Sequence, residues 1–318
     1  MTRCVICGNV TRYHKIVYDD RYGYPGSFQL NKCLKCGHIC LEGDFTPQLL
    51  TKLYTHYYPR SSFDLNRYVP SPEVKGFKAW LNGEKSAAYS WVPENSRVLD
   101  IGCGFGQTLA YHLSRGCDAY GVEADENIRR VVEKFGFKVH VGLFDPNLYE
   151  SDFFDYVTMD QVVEHVTDPM GTMRGIAKVL KPGGMAILST PNANGWGAKL
   201  LGRRWINWHA PYHLQHFSRA SMMIAAGQAG LSVERVQTIT NAAWLHYQCI
   251  HLLTCPDMGE PSPFWSPQGD TRAGHNHNRV FKILSCIHRA KINHLVTRFF
   301  DALGLGDNIL FFLKKIAS

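Results

Sequence analysis

Val98-Leu-Asp-Ile-Gly102-Cys-Gly104-Phe-Gly106 is the stretch on which the fold turns. A short apolar run ends at an acid and passes into three closely spaced glycines, the pattern of a buried strand that turns into a helix. Glycine at such a turn lets the backbone pass close to a ligand at the helix N-terminus. The spacing is Gly-x-Gly-x-Gly rather than the Gly-x-Gly-x-x-Gly of dinucleotide sites. Asp100 at the strand end suits a ligand bearing an ammonium better than one bearing a pyrophosphate. Farther on, Gly121-Val-Glu123 ends the next expected strand with an acid placed to accept both ribose hydroxyl hydrogens.

Outward from this point, strands and helices alternate. Strands are predicted at 97–101, 119–122, 138–141, 154–159 and 185–189, with helices at 108–114, 126–134 and 167–179. The rhythm implies a parallel α/β sheet with helices on both faces, which takes ligands at the carboxyl ends of its strands. A sixth strand is expected at 231–238 and a seventh at 308–313, with a helical insertion at about 241–305 between them. The insertion reads as an apolar helix at 242–254, a Pro/Gly-rich loop at 255–278 and one amphipathic helix at 280–303. In that helix Val280, Leu284, Ile287, Leu295 and Phe299 recur at helical spacing, with Lys282, Arg289, Lys291 and Arg298 around them. Such a helix serves as a lid, as a homodimer contact, or as a peripheral membrane contact.

Upstream stand two Cys-x-x-Cys pairs, Cys4-Val-Ile-Cys7 and Cys33-Leu-Lys-Cys36, each followed by glycine. Four thiolates around one structural Zn²⁺ is the natural reading, because the intervening strands are too small to hold together alone. Redox chemistry at one pair leaves the other unexplained, and His38 and Cys40 fall outside a complete four-thiolate set. Helices are expected at 47–58 and 74–91, joined by a proline-containing connector. The organisation is therefore a zinc ribbon with connector over 1–72 and a catalytic domain over 73–318.

The 318 residues, 45% of them hydrophobic, suffice for about two domains. No signal peptide and no apolar run long enough to span a bilayer are recognised, so a cytoplasmic protein is expected. The net charge is +7, and most of the excess lies in 271–318, with eight Lys or Arg against two Asp. An anionic substrate or surface is the expected partner of that segment.

The glycine loop and Glu123 resemble the first two motifs of class I S-adenosylmethionine (SAM)-dependent methyltransferases. Phe154-Asp-Tyr-Val-Thr-Met-Asp-Gln-Val-Val-Glu164-His165, Leu180-Lys-Pro-Gly-Gly184 and Ser189-Thr-Pro-Asn192 resemble the later ones in order. The resemblance implies a Rossmann-like seven-stranded sheet, with Asp100, Gly102, Cys103 and Gly104 around the methionine part of SAM. It places Glu123 and Ala124 at the ribose, Leu143 and Phe144 at the adenine, and Asp160 or Gln161 near the amino-acid end. Leu143 stands where the family commonly has an acid, so a polar adenine contact there has to come from backbone. The cysteine pairs, Gly37-His-Ile-Cys-Leu41 and the tyrosines from Tyr54 to Tyr58 extend the likeness to zinc-bearing bacterial enzymes related to sugar C-methyltransferases.

Methyl transfer is an in-line displacement that usually removes a proton from the acceptor, and histidine is the natural base. Glu164-His165, past the fourth strand, and His213-Leu-Gln-His216, after the fifth, are the candidates. The expected acceptor is a sugar or sugar-derived small molecule, nucleotide- or lipid-linked, with no nucleic-acid partner. The alternative is an RNA methyltransferase whose zinc ribbon grips nucleic acid. It fits poorly, since the fourth strand ends in Asp160-Gln161 and not in the Pro-rich tetrapeptide of adenine N-methyltransferases.

Overall fold

The computed structural model describes residues 2–58, 64–266 and 278–316. The glycine-loop segment falls as read: strand β4 (Arg97–Ile101) runs into helix α3 (Gln107–Ser114). It is the centre of a seven-stranded sheet. Beside it lie β5 (Asp118–Glu123), β6 (Lys138–Val141), β7 (Phe154–Asp160) and β8 (Leu180–Pro191), all parallel, with α4 (Ile128–Phe135) and α5 (Pro169–Val179) as crossovers. The far edge is β10 (Leu231–Thr238) and β11 (Asn308–Lys315), which pairs antiparallel with both β8 and β10. The order β10-β11-β8-β7-β4-β5-β6 reverses direction of winding at β4 and β7, so the ligand crevice opens above their carboxyl ends.

Alternation along the strands sorts the core. Leu99, Ile101, Ile309, Phe311 and Leu313 face the side covered by α5 and α7 (Arg219–Gln228). Val98, Leu310 and Phe312 face the other, where Leu109 of α3 and Ile128 and Val131 of α4 lie. Each such fully buried side chain contributes roughly 1.5–3 kcal/mol.

The N-terminal strands β1 (Thr11–Tyr18), β2 (Ser27–Cys33) and β3 (Ile39–Leu41) form a second sheet, and its fourth strand comes from the other side of the molecule. β9 (Gln215–His216) pairs with β3, Ile39 opposite His216. Leu30, Ile39 and Leu41 pack with Trp205, Trp208 and Leu214 in one cluster. The two sheets are thereby one packed unit.

Three helix readings are corrected. The stretch 47–58 is α1 (Pro47–Lys52) continued by a π-helical turn at Leu53–Tyr57. The stretch 74–91 keeps helix only in α2 (Gly76–Asn82), because Gly83 takes φ 72° and two 3-10 turns follow. The stretch 280–303 is two helices, α9 (Asn278–Arg289) and α10 (Ile292–Ala302), broken where Lys291 adopts φ 64° and reaches Asn82 Oδ1 at 3.1 Å. Together with α8 (Ala242–Thr254) they fill the span between β10 and β11. Part of the loop read at 255–278, namely 267–277, lies outside the described residues, and α6 (Trp196–Leu200) follows β8.

Gly83 shows how α2 and the insertion lock together. A Cβ there would stand 2.0 Å from the Thr240 carbonyl oxygen and 2.6 Å from the Arg298 guanidinium. Gly83→Ala is expected to cost more than about 2 kcal/mol in urea unfolding, from left-handed strain plus backbone displacement. Gly227→Ala, on an exposed helical position with open space around it, should instead gain up to about 1 kcal/mol.

Candidate functional site

Gly102, Gly104 and Gly106 all take positive φ, at 80°, 56° and 73°. At Gly102 a Cβ would lie 2.4 Å from Val162 Cγ2, whereas at Gly104 nothing lies within 4 Å, so the loop leaves a cradle on its outer side. Glu123 closes it: one carboxylate oxygen accepts from Gly104 N and the other from Asp125 N, both at 2.8 Å. Their remaining lone pairs stay available for a pair of vicinal hydroxyls.

Other predicted cofactor residues divide. Asp100 is buried, with one oxygen accepting from Thr158 Oγ1 at 2.7 Å and the other from Thr108 Oγ1, so it braces the turn from within. Cys103 points its sulfur beneath the loop toward Gly121 and offers only backbone. Ala124 is exposed and Leu143 is 80% exposed, leaving a face for a flat ring. Phe144 turns its ring against Gly175 of α5.

At the end of β7 the backbone breaks sharply, Gln161 taking φ 56°. Non-glycine residues in that region concentrate at functional sites. Gln161 is held by Ser189 and by Asn308 Oδ1 at 2.8 Å, and Asp160 accepts from Ala88 N at 3.3 Å. Burial pushes the Asp160 carboxyl up to about 7. Gln161, Pro191, Asn207, Thr240, Trp244, Asp307 and Asn308 line a cleft over these strand ends, with Trp244 supplied by the insertion. Asp307 accepts from Trp205 Nε1 at 2.8 Å and Asn207 Nδ2 at 3.1 Å, a contribution the sequence patterns left unmarked.

Glu164, His165 and His213, separate candidates in the sequence, come together, with one side-chain N or O atom from each within 4.8 Å of the others. His165 Nδ1 lies 3.0 Å from the Tyr212 carbonyl and 2.9 Å from Tyr54 Oη. A carbonyl only accepts, so Nδ1 carries the hydrogen and Nε2 the lone pair. His213 is set the same way by the Asn207 carbonyl at 2.9 Å. Burial keeps both rings neutral, holding His165 down to about 4 and His213 well below the usual histidine range. Glu164 Oε2 accepts from Thr190 at 3.0 Å, and Oε1 has no partner among the described residues.

His216, its ring 6.3 Å from that of His213, sits in the β3–β9 ladder, packed edge-on against Trp208 at 4.9 Å at the joint between the sheets. Beside these histidines stand Tyr22, Tyr58, His209 and Tyr212, whose rings pack edge-on or tilted at 4.9–6.2 Å. Tyr54 reaches His165 from the π-helical turn, a local geometry frequent at functional sites. In the sequence Tyr54 and Tyr58 stand in the tyrosine-rich run 54–58, far from Tyr22, His209 and Tyr212. Only the fold shows that they meet.

Cys4, Cys7, Cys33 and Cys36 converge with all four sulfurs within 4.8 Å, Cys4 to Cys36 at 3.5 Å and Cys7 to Cys33 at 3.4 Å. Tetrahedral thiolates at about 2.3 Å from one Zn²⁺ are near neighbours in just this way. The amides of Ile6 and Cys36 donate to Cys4 and Cys33 Sγ, as knuckles do. Asp20, His251 and Cys255 also cluster, but both His251 nitrogens are engaged, by Asp20 at 3.1 Å and by Trp265 Nε1 at 3.2 Å.

Burial pushes the Glu164 carboxyl up to about 8, so it folds protonated and unfolds with an ordinary value of 4.5. Its contribution to stability is full below 4.5 and is lost as pH rises through 8. The neutral histidines, with lowered values, contribute no slope above pH 6.5. Wild-type protein should thus lose urea resistance between pH 6.5 and 8 and level off above that, and Glu164→Gln should lose less. Equal losses would remove Glu164 as a cause.

Residues 79–236 match the family described as "Methyltransferase domain". The ubiquinone biosynthesis O-methyltransferase of Bordetella avium is 30% identical over 160 residues, 44% of this chain and 66% of the relative. That of Pseudomonas fluorescens is 28% identical over 178 residues, 50% of this chain and 77% of the relative. The chain thus spans just under two thirds of the first relative's length. Among solved structures, Haemonchus contortus phosphoethanolamine N-methyltransferase 2 in complex with S-adenosyl-L-methionine aligns with a TM-score of 0.47 at 19% identity, covering 77% of this chain and 54% of that one.

Proposed function

We propose that this chain, whose residues 79–236 form a class I SAM-dependent methyltransferase domain, transfers the methyl group to a hydroxylated ring held between the two sheets, with His165 as base. The observation that carries the reading is the fixed tautomer: His165 is neutral, half-buried and forced by the Tyr212 carbonyl to present the Nε2 lone pair. SAM supplies an electrophilic methyl on a sulfonium, and the fit of its site rests on the open cradle at Gly104 and the clasped Glu123 carboxylate. With SAM bound as methyl donor, His165 Nε2 would take the proton that the acceptor hydroxyl gives up. Glu164, protonated at neutral pH, and His213 hold the acceptor's other polar groups.

A sugar-derived acceptor suits walls that mix tyrosine rings with unsatisfied polar atoms, namely Glu164 Oε1, Tyr212 Oη and His209 Nε2. A phenolic acceptor is the second reading, favoured by the names of the relatives. In both readings the four thiolates hold structural zinc and the zinc module forms a wall of the acceptor site. Incubation with methyl-labelled SAM, a panel of sugar nucleotides and a panel of catechols, followed by mass spectrometry, separates the two. Label on neither panel would overturn both.

A further inference from the structure

The insertion carries a helix whose faces are reversed. On α10 the buried residues are polar: Asn293, His294, Thr297 and Arg298. Asn293 donates to the Ala242 carbonyl at 2.9 Å, and Arg298 pairs with Asp301 at 2.7 Å while donating to the Trp80 carbonyl at 2.6 Å. The outward side is apolar. Ile292, Leu295, Val296, Phe299 and Leu303 follow one another at i, i+3, i+4, i+7 and i+11, with Leu295 59% and Phe299 61% exposed. The stripe is about 16 Å long.

Its surroundings extend it. Phe77 and Trp80 of the adjoining α2 are exposed. On α9, Val280 and Ile283 are exposed among Arg279, Lys282 and Arg289, which are exposed too. From 278 to 300 there are five Lys or Arg and no Asp or Glu. Scattered apolar residues on a surface need no explanation, but a continuous stripe flanked by uncompensated cations does.

We propose that α9, α10 and α2 form a docking face for an anionic bilayer surface. The apolar stripe seats at the boundary between headgroups and acyl chains, and Arg279, Lys282 and Arg289 lie among the headgroup phosphates. Charge selects this occupant over a second copy of the chain, because a symmetric pair would set these cations against their own kind with no acid on α9 to offset them. Nor does 267–277, Pro-Gln-Gly-Asp-Thr-Arg-Ala-Gly-His-Asn-His, carry the large apolar side chains to cover the stripe. No helix among the described residues is long and apolar enough to cross a membrane, so the contact is peripheral. It holds whatever the methyl acceptor is.

Flotation of the full chain with vesicles tests it, comparing phosphatidylglycerol mixed with phosphatidylcholine against phosphatidylcholine alone. Binding is expected only to the anionic vesicles and should weaken with salt. Leu295→Asp with Phe299→Asp should lower the bound fraction at least about ten-fold. Lys282→Gln with Arg289→Gln should lower it about 25-fold, since each charge near such a surface is worth roughly a five-fold factor. Unchanged SAM affinity in both variants shows that they are folded. Absence of wild-type binding, equal binding to both vesicle types, or a dimer dispersed by the Leu295/Phe299 pair without vesicle binding would each overturn the assignment.

Discussion

If the four thiolates hold zinc as proposed, Cys33→Ser is expected to lower metal content and abolish most methyl transfer, while SAM affinity stays within about two-fold. The thiolate set ties the turn that precedes β1 to the turn that follows β2, at the open end of that hairpin, and the sheet it supports is small. Metal binding to such modules supplies roughly 10–16 kcal/mol at neutral pH, and without it they unfold. In the proposed function, what unfolds here is also the wall of the acceptor site. Asp19 accepts from the amides of Arg21, Tyr22 and Tyr24, fixing the turn that sets Tyr22 against Tyr58 and Tyr212. The cofactor loop lies in the other sheet, held by Glu123 and Asp100, and should survive. Metal content by mass spectrometry, circular dichroism and turnover check the sequence of effects. Full turnover in a metal-free variant would show that the module is no part of the acceptor site.

His165→Ala should lower turnover by about 10² to 10⁴-fold, the usual range for removal of a positioned base, with SAM affinity nearly intact. His165→Gln should recover little, because an amide accepts a hydrogen bond but takes no proton. Tyr54→Phe provides the finer readout. Tyr54 touches the Nδ1 side only, so its loss leaves the Tyr212 carbonyl to hold the tautomer and should cost about ten-fold or less. Since the imidazole is held neutral down to about 4, wild-type turnover should not fall with protonation of His165 between pH 8 and 5. Turnover of His165→Ala equal to wild type on the true acceptor would remove the base assignment.

The sheet was legible because its signals are local. An apolar strand, three glycines and a spaced acid specify β4, the loop and β5 without reference to the rest of the chain, and β6 and β10 fall at 138–141 and 231–238 as read. The same locality hides how Asp100 is held. A strand-end acid looks free in one dimension, but Thr108 and Thr158 donate to its oxygens, the second from a neighbouring strand. The place of His216 was hidden for a similar reason: the β3–β9 pairing joins residues far apart in sequence, and no periodicity announces it. The amphipathic pattern at 280–303 was real, yet its orientation was not readable. Arg298 pairs with Asp301 and donates to the Trp80 and Thr240 carbonyls, while Asp301 accepts from the Thr240 hydroxyl, so the polar face went inward. Tyr54, Tyr22 and Tyr212 come from three separate segments, and their meeting depends on how the N-terminal sheet seats on β9.

The most direct measurement is calorimetric titration of the whole chain with SAM, and separately with NAD. The account predicts one SAM site per chain, weakened at least about ten-fold by Glu123→Ala through loss of the ribose contact and of the Gly104 clasp, nearly unchanged in His165→Ala, and no saturable NAD binding. A chain that binds NAD and not SAM, or SAM binding indifferent to Glu123, would contradict it.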